Sequence, residues 1–272
     1  MSPKEIQRVC QSFIIKHGKL QFECMKILFK SEGKTYLGEY PKRLSPDRHN
    51  EIDTEGITNV VLIPPESYCP PVPEECTISP EPLTQDYYMK RIDLMQYGGG
   101  LDLARLVLRE MKACEALRLR PHPNVAAYHG CQIQDNGVTG LCFLRYPETL
   151  MKKMNPKHLN KQHFLSEPIE ERKAAASRYL PGITEGLHHI HSLGLAHNDI
   201  NPSNIMIDSQ DRPVIIDFDS CLPFGENMDQ VKRTPGWYNE EVTVSVAKND
   251  LDALTEIANW LTSVSVKELS FR

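Results

Sequence analysis

The apolar positions of this chain fall into two regimes on either side of a proline-rich stretch. Before it, short apolar runs alternate with polar turns. Phe13-Ile14-Ile15, Ile27-Leu28-Phe29 and Asn59-Val60-Val61-Leu62-Ile63 each predict a strand. Between Pro64 and Pro82, seven of nineteen residues are proline. That density excludes a helix or a central strand and predicts an extended connector. Beyond it, 87–92 predicts a strand and the glycines at 98–100 a break. Residues 101–119 place Leu103, Leu106, Val107, Met111, Cys114 and Leu117 at helical spacing, stopped by Pro121 and Pro123.

The remaining pattern predicts two hairpins and two helices. Residues 125–134 and 139–146 are strands joined at Asp135-Asn136-Gly137. Residues 167–193 form a long helix with Gly194 as its C-terminal stop, and Pro181 inside it predicts a kink. A second hairpin pairs 205–208 with 212–218, and 250–261 is a final helix rich in Leu, Ile and Ala.

Composition narrows the class. The 272 residues carry 31 Lys+Arg against 36 Asp+Glu, a net charge of −5, with 40% hydrophobic and 25% charged content. These are ordinary values for a globular chain long enough to fold without a disulfide or metal staple. Mild acidity supplies no long-range attraction to nucleic acid or anionic lipid, so neither nucleic acid nor membrane is expected as a partner. No apolar run approaches the roughly 18 residues that span a bilayer, and the N-terminal segment has no signal-peptide core. The eight cysteines form no CxxC pair, which predicts reduced thiols and an intracellular setting, cytoplasmic or nuclear; Cys69 and Cys76, flanking prolines, leave a disulfide open.

The chemistry concentrates in His197-Asn198-Asp199-Ile200-Asn201-Pro202-Ser203-Asn204 and in Ile215-Ile216-Asp217-Phe218-Asp219. Asp199 lies just past the long helix, Asn204 enters the first hairpin strand and Asp217 leaves the second. The tight turn at 209–213 brings Asn204 and Asp217 to one end, and converging hard oxygens suit Mg²⁺. The four histidines 188, 189, 191 and 197 have no Cys or carboxylate set to complete a zinc site, and His197 reads as a buried brace. The basic run from Lys152 to Lys161 reads as a solvated face.

These two segments resemble the catalytic loop and the metal-binding DFG segment of the protein kinase superfamily. Further stretches follow in that family's order. Met89-Lys90 resembles the strand lysine. Arg109-Glu110-Met111 and His122-Pro123-Asn124 resemble helix αC and its turn. Leu144-Arg145-Tyr146 resembles the hinge. Thr234 to Glu241 resembles the segment ending in APE, and Asn249-Asp250 the start of helix F. The resemblance implies an α+β, two-lobed fold: a sheet-rich N-lobe with one αC helix and a shortened, mainly helical C-lobe. Residues 1–82 would be an N-terminal extension with the proline-rich segment, partly N-lobe; 83–146 the N-lobe core; and 147–272 the C-lobe, ending after the helix F region.

By the same resemblance, ATP and Mg²⁺ are the cofactors and a protein hydroxyl is the acceptor. Lys90 would hold the α/β-phosphates and pair with Glu110. Asp199 would accept the hydroxyl proton, Asn204 and Asp217 would hold Mg²⁺, and the hinge at Arg145 and Tyr146 would receive adenine. Four departures stand out. No GxGxxG precedes Lys90, where the proline-rich segment stands instead. Asn201 replaces the catalytic-loop lysine. Asp219 replaces the DFG glycine and restricts that loop. Only 22 residues follow Asp250. A pseudokinase scaffold and a small-molecule kinase are the alternatives to a protein kinase.

Overall fold

The structure, a computed structural model, describes residues 3–16, 19–45, 48, 51–98, 100, 102–229 and 231–271. Gly99 and Leu101, which belong to the predicted break and helix start, lie outside the described residues. The chain divides into two compact units, one of residues 1–71 with 91–105, the other of 72–90 with 106–272.

The first unit is an antiparallel meander of β1 (Glu5–Lys16), β2 (Lys19–Ser31), β3 (Lys34–Tyr40) and β4 (Thr58–Ile63). Alternation along β2 turns Met25, Ile27 and Phe29 to one face. Tyr40, Ile52 and Ile57 close over them as a buried core. The pattern predicted the runs in β1, β2 and β4 but not β3, because Gly38 reads as a breaker. Its lack of a side chain is what lets β3 close up: a Cβ there would lie 2.5 Å from the Ile57 side chain. In the 91–105 segment Met95 is buried, and Asp93 accepts a bond from Arg8 at 2.9 Å.

The second unit has a sheet part and a helical part. The sheet runs β5 (Tyr87–Lys90), β7 (Gly137–Leu144), β6 (Tyr128–Gln134). The β6–β7 loop is the two residues Asp135 and Asn136, both at positive φ, so Gly137 opens the strand instead of making the turn. Helix α1 spans Leu103–Arg118. Thr77 to Ser79 run parallel to β6, with Thr77 N–H bonded to Glu115 of α1 at 2.7 Å. The end of the proline-rich segment therefore lies beside β6, at the edge of the sheet opposite β5, and not over Lys90.

The helical part contains β8 (Glu148–Thr149), α2 (Leu150–Met154), α3 (Ile169–Ser192), β9 (Leu195–Ala196), β10 (Ile205–Ile207), β11 (Pro213–Ile215), β12 (Leu222–Pro223) and α4 (Ala247–Thr262). β10 lies between β8 and β11, and β9 pairs with β12. α3 is helical through Pro181, and Gly194 ends it at φ 75°. Gly186 lets α3 press onto the Asn124 turn, where a Cβ would sit 2.8 Å from the Asn124 carbonyl oxygen. Asn124 in turn donates to Pro213 O and accepts from Ile215 N–H, tying the sheet part to β11. Phe164 stacks on Trp260 at 4.1 Å, and the buried guanidinium of Arg172 donates to the last carbonyls of α4, where the helix dipole favours a cation. All eight cysteines are free thiols. Burial pushes the Cys131 thiol, beside Cys76, up to about 12. Among the described residues no helix is long and apolar enough to cross a membrane.

Candidate active site

Three elements of the second unit bring charged side chains together. Lys90 ends β5 on the inner side of the sheet. Its ammonium bonds to Glu110 of α1 at 2.6 Å and to Asp217 beyond β11. Burial pushes Lys90 down, but Glu110, Asp217 and Asp219 outweigh it and hold the ammonium charged above its ordinary value. Burial raises Glu110, to about 7, against the pull of Lys90, while Lys90 holds Asp217 below the usual carboxylate range despite burial. Glu110 also accepts the Phe218 N–H at 3.3 Å, and Arg109 donates to the Asp219 carbonyl at 2.9 Å, so α1 holds both sides of this loop. The left-handed residue of the loop is Asp217, at φ 67°; Asp219, in the place of the DFG glycine, is not left-handed.

Asp250 of α4 organises the other loop. Fully buried, it accepts the backbone N–H groups of His197 and Asn198 at 2.8 and 2.7 Å and contacts His191 Nε2 at 2.8 Å. His197 is a buried brace: its Nδ1 accepts Asp199 N–H, so Nε2 carries the hydrogen and donates to Ile216 O at 2.9 Å. His189 bonds Arg120 O, and His188 is exposed. No cluster of three or more His, Cys, Asp or Glu with metal-binding geometry occurs among the described residues.

Asn204 Nδ2 donates to the Asp199 carbonyl and carboxylate at 2.9 and 3.0 Å, leaving its Oδ1 as the acceptor end. The Asn204 carbonyl accepts Ile216 N–H at 3.0 Å, which places Asn204 and Asp217 at the same end of the hairpin. Asp199 is held by a residue that sequence spacing did not single out for it. Thr234 donates its N–H to one carboxylate oxygen at 2.7 Å and its hydroxyl to the other at 3.1 Å. Asn201, in the lysine position, donates to the Thr234 hydroxyl and to Asp199 O. Burial raises Asp199 against those bonds.

A cleft of about 350 Å³ runs from this cluster to the end of β7. Ala126, Phe143, Met206 and Ile216 line its apolar part, and Lys90 and Asp217 its polar end. Arg145 and Tyr146 stand at its rim. The Arg145 side chain turns back to the Gln85 and Tyr87 carbonyls, its N–H bonds Asp86 O, and the Tyr146 hydroxyl accepts Ala127 N–H. Arg145 and Tyr146 both line the cleft, and their polar side-chain groups, with the Arg145 N–H, hold its rim.

The lysine–glutamate pair across strand and helix, the carboxylates on adjoining loops and the apolar cleft all lie within residues 82–270, with which the model of the protein kinase domain aligns. The chain belongs to the protein kinase family. Its architecture is that family's two-lobed α+β fold, with β5–β7 and α1 in the smaller lobe and α2–α4 in the larger. The serine/threonine-protein kinase TAO3 of Xenopus laevis is 25% identical over 166 residues, 61% of this chain and 17% of that protein. The MAP kinase kinase kinase SSK2 of Saccharomyces cerevisiae is 24% identical over 178 residues, 62% of this chain and 10% of that one. Mouse serine/threonine-protein kinase 16 is 27% identical over 152 residues, 52% of this chain and 46% of that protein. The matched region thus spans a small part of the TAO3 and SSK2 proteins and under half of kinase 16. The crystal structure of the yeast RNA Pol II CTD kinase CTDK-1 complex aligns at a TM-score of 0.46 and 18% identity, over 64% of this chain and 54% of that one.

Proposed function

We propose that this kinase-family chain transfers the γ-phosphoryl group of ATP, with Mg²⁺, to a hydroxyl of a protein substrate. The observation that carries the reading is the convergence of Lys90, Glu110 and Asp217 at the polar end of an apolar cleft, with Asn204 and Asp199 on the adjoining loop. The residues fit both groups. The apolar walls suit a planar base, the Lys90 ammonium suits phosphate oxygens, and Asn204 Oδ1 with Asp217 offers hard oxygens to Mg²⁺.

Nucleotide and metal supply the phosphoryl group and the charge that neutralises it. The chain's part is positioning. Lys90, oriented by Glu110, fixes the phosphates, and Asn204 and Asp217 fix the metal. Asp199, raised by burial, orients the acceptor hydroxyl and takes up its proton. The hydroxyl oxygen bonds to the phosphorus, the bond to the leaving oxygen breaks, and ADP departs. Two observations favour a scaffold instead: both Asp199 oxygens already accept bonds from Thr234, and among the described residues of this unit no glycine-rich turn precedes Lys90.

Thermal unfolding with ATP tests the nucleotide and metal site, and a phosphate-transfer assay on the purified chain then separates an enzyme from a scaffold or a nucleotide-binding module without transfer activity. ATP at 100 times its Kd adds about 2.7 kcal/mol of stability, and this gain should be larger with Mg²⁺ than with EDTA. Asp217→Asn should abolish the difference. Equal stabilisation with and without metal removes the metal assignment, and no stabilisation at all favours the scaffold.

A further inference from the structure

The catalytic loop lacks a cation, and the segment that returns to it carries one. Asn201, in the lysine position, is a neutral amide, buried and spent on Asp199 O and the Thr234 hydroxyl, both at 3.1 Å. Lys90 cannot make up the charge alone, because Glu110 and Asp217 already share its ammonium. Other basic side chains of this unit are engaged elsewhere. Arg109 donates to the Asp219 carbonyl at 2.9 Å, and Arg233 donates to the carbonyls of Asn239 and Val242. Lys161, expected on a solvated face, instead pairs with the buried Glu256. A triphosphate arriving between Asp199 and Asp217 therefore meets an excess of negative charge that one divalent metal ion only partly offsets.

Two anchors put Lys232 at this place. The hydroxyl of Ser220, directly after Asp219, donates to the Lys232 carbonyl at 2.5 Å. Two residues beyond Lys232, Thr234 donates its N–H to the Asp199 carboxylate at 2.7 Å. The backbone of Lys232 is thus pinned between the loop of Asp217 and the loop of Asp199. Burial raises the Asp217 carboxyl, and Lys90 first, then His197 and Lys232, pull it below its ordinary value, so the Lys232 charge acts on Asp217. Among the described residues that ammonium has neither an ion pair nor a hydrogen bond, and the residue is exposed. A lysine kept for solubility has no need of either anchor. Here both fix the root of a long, rotatable stem whose three donors are unspent.

We infer that Lys232 supplies the cation at the transferred phosphoryl group that Asn201 does not, with its ammonium set against the peripheral phosphoryl oxygens. The inference rests on the proposed phosphoryl transfer. Lys232 keeps its proton and forms no covalent bond; the bonds made and broken are those of phosphorus with the acceptor and leaving oxygens. It neutralises charge on the group in transit, whereas ADP ends at the β-phosphate, so its effect falls on the rate of transfer and not on ADP affinity. Removing a preorganised donor of this kind from an enclosed site costs about 10²- to 10³-fold in rate. Water and salt screen an exposed ammonium, which brings the expected loss to about tenfold or more.

The test compares the full chain with its Lys232→Ala and Lys232→Arg variants, both of which keep the carbonyl that Ser220 holds. One arm reads kcat for transfer from ATP to a mixed pool of Ser- and Thr-containing peptides. The other reads the Kd of ADP with Mg²⁺, alone and with tetrafluoroaluminate, a planar anion that takes the place of the phosphoryl group in transit and binds without turnover. Lys232→Ala should lower kcat by about tenfold or more and leave the Kd of ADP within about twofold. It should also lose about tenfold or more of the tightening that tetrafluoroaluminate gives the parent, and Lys232→Arg should keep most of both. Three results overturn the role of Lys232 while leaving the activity in place: an Ala variant that transfers within twofold of the parent, an Arg variant as poor as Ala, or a fall in kcat without a fall in tetrafluoroaluminate binding. Tightening that depends on Lys232 in a protein that transfers nothing keeps the cation and removes the activity. Neither transfer nor tightening in the parent overturns both.

Discussion

Asp199 gains its position from four neighbours, and burial raises its carboxyl above the ordinary value. Asn204 and Thr234 grip the carboxylate, Asn201 steadies Thr234, and Asp250 holds the backbone immediately before it. On the proposed mechanism, substituting Asn for Asp199 keeps the shape and removes the proton acceptor. Transfer should therefore fall by about 10²- to 10⁴-fold, while nucleotide affinity, which the proposal assigns to Lys90 and the cleft, should stay within about twofold of the parent. Single-turnover transfer and nucleotide titration on the same protein separate the two. An Asn variant that transfers phosphate at the parent rate would show that Asp199 is not the acceptor.

At the scale of elements, Asn198 ties the segment after Asp217 to the catalytic loop by neutral bonds. Asn198, in the position where many kinases carry a phosphate-binding arginine, is buried. Its amide donates to the carbonyls of Ala196 and Ser220 and to the Ser245 hydroxyl, while its oxygen accepts from Asn249. The nearby guanidinium of Arg233 is spent on the carbonyls of Asn239 and Val242 and on the Tyr238 ring, 3.9 Å away. A phosphate on Thr234 would find no ready bidentate partner, and its charge of about −1.5 to −2 would face the Asp199 carboxylate. Phosphatase treatment should leave activity within tenfold of the untreated protein, and Thr234→Glu should lower it. A tenfold or larger loss on dephosphorylation, mapped to Thr234, would mean the loop is a phospho-switch after all.

A second element-scale prediction concerns Glu115, which ties Thr77 to α1. Burial would raise its carboxyl, but the Thr77 N–H and hydroxyl and the Arg118 guanidinium outweigh that and hold it below its ordinary 4.5. Because the folded value is the lower one, this group contributes stability above pH 4.5 and loses it as pH falls through the folded value. Glu115→Gln should cost about 1.5–3 kcal/mol near pH 7, and the gap between parent and variant should close on acidification. A gap that stays constant to pH 3 would show that the charge of Glu115 is not what holds Thr77.

For the whole molecule, two compact units with separate buried cores imply two cooperative transitions. Ile27 and Ile183, both fully buried, stand in the first and second unit respectively. Truncating either to alanine should cost its own unit about 2–5 kcal/mol. In calorimetry Ile27→Ala should lower one transition and Ile183→Ala the other, and ATP should raise only the second. A single transition lowered equally by both substitutions would show that the units unfold as one.

The sequence by itself determined whatever depends on spacing within one element or across one tight turn. The strand and helix that carry Lys90 and Glu110 follow from their apolar periods, while the pairing of the two residues was implied by the family resemblance; the convergence of Asn204 and Asp217 follows from the length of one hairpin. The type of nearly every helix was legible for the same reason. Contacts between residues far apart in sequence were not. The grip of Thr234 on Asp199, the burial of Lys161 against Glu256 and the capping of α4 by Arg172 join segments 35, 95 and 88 residues apart. No local pattern marks them, since a threonine, lysine or arginine reads alike in water and in a core. Only the tertiary structure decided which of these polar groups lost their water and so had to find partners within the chain.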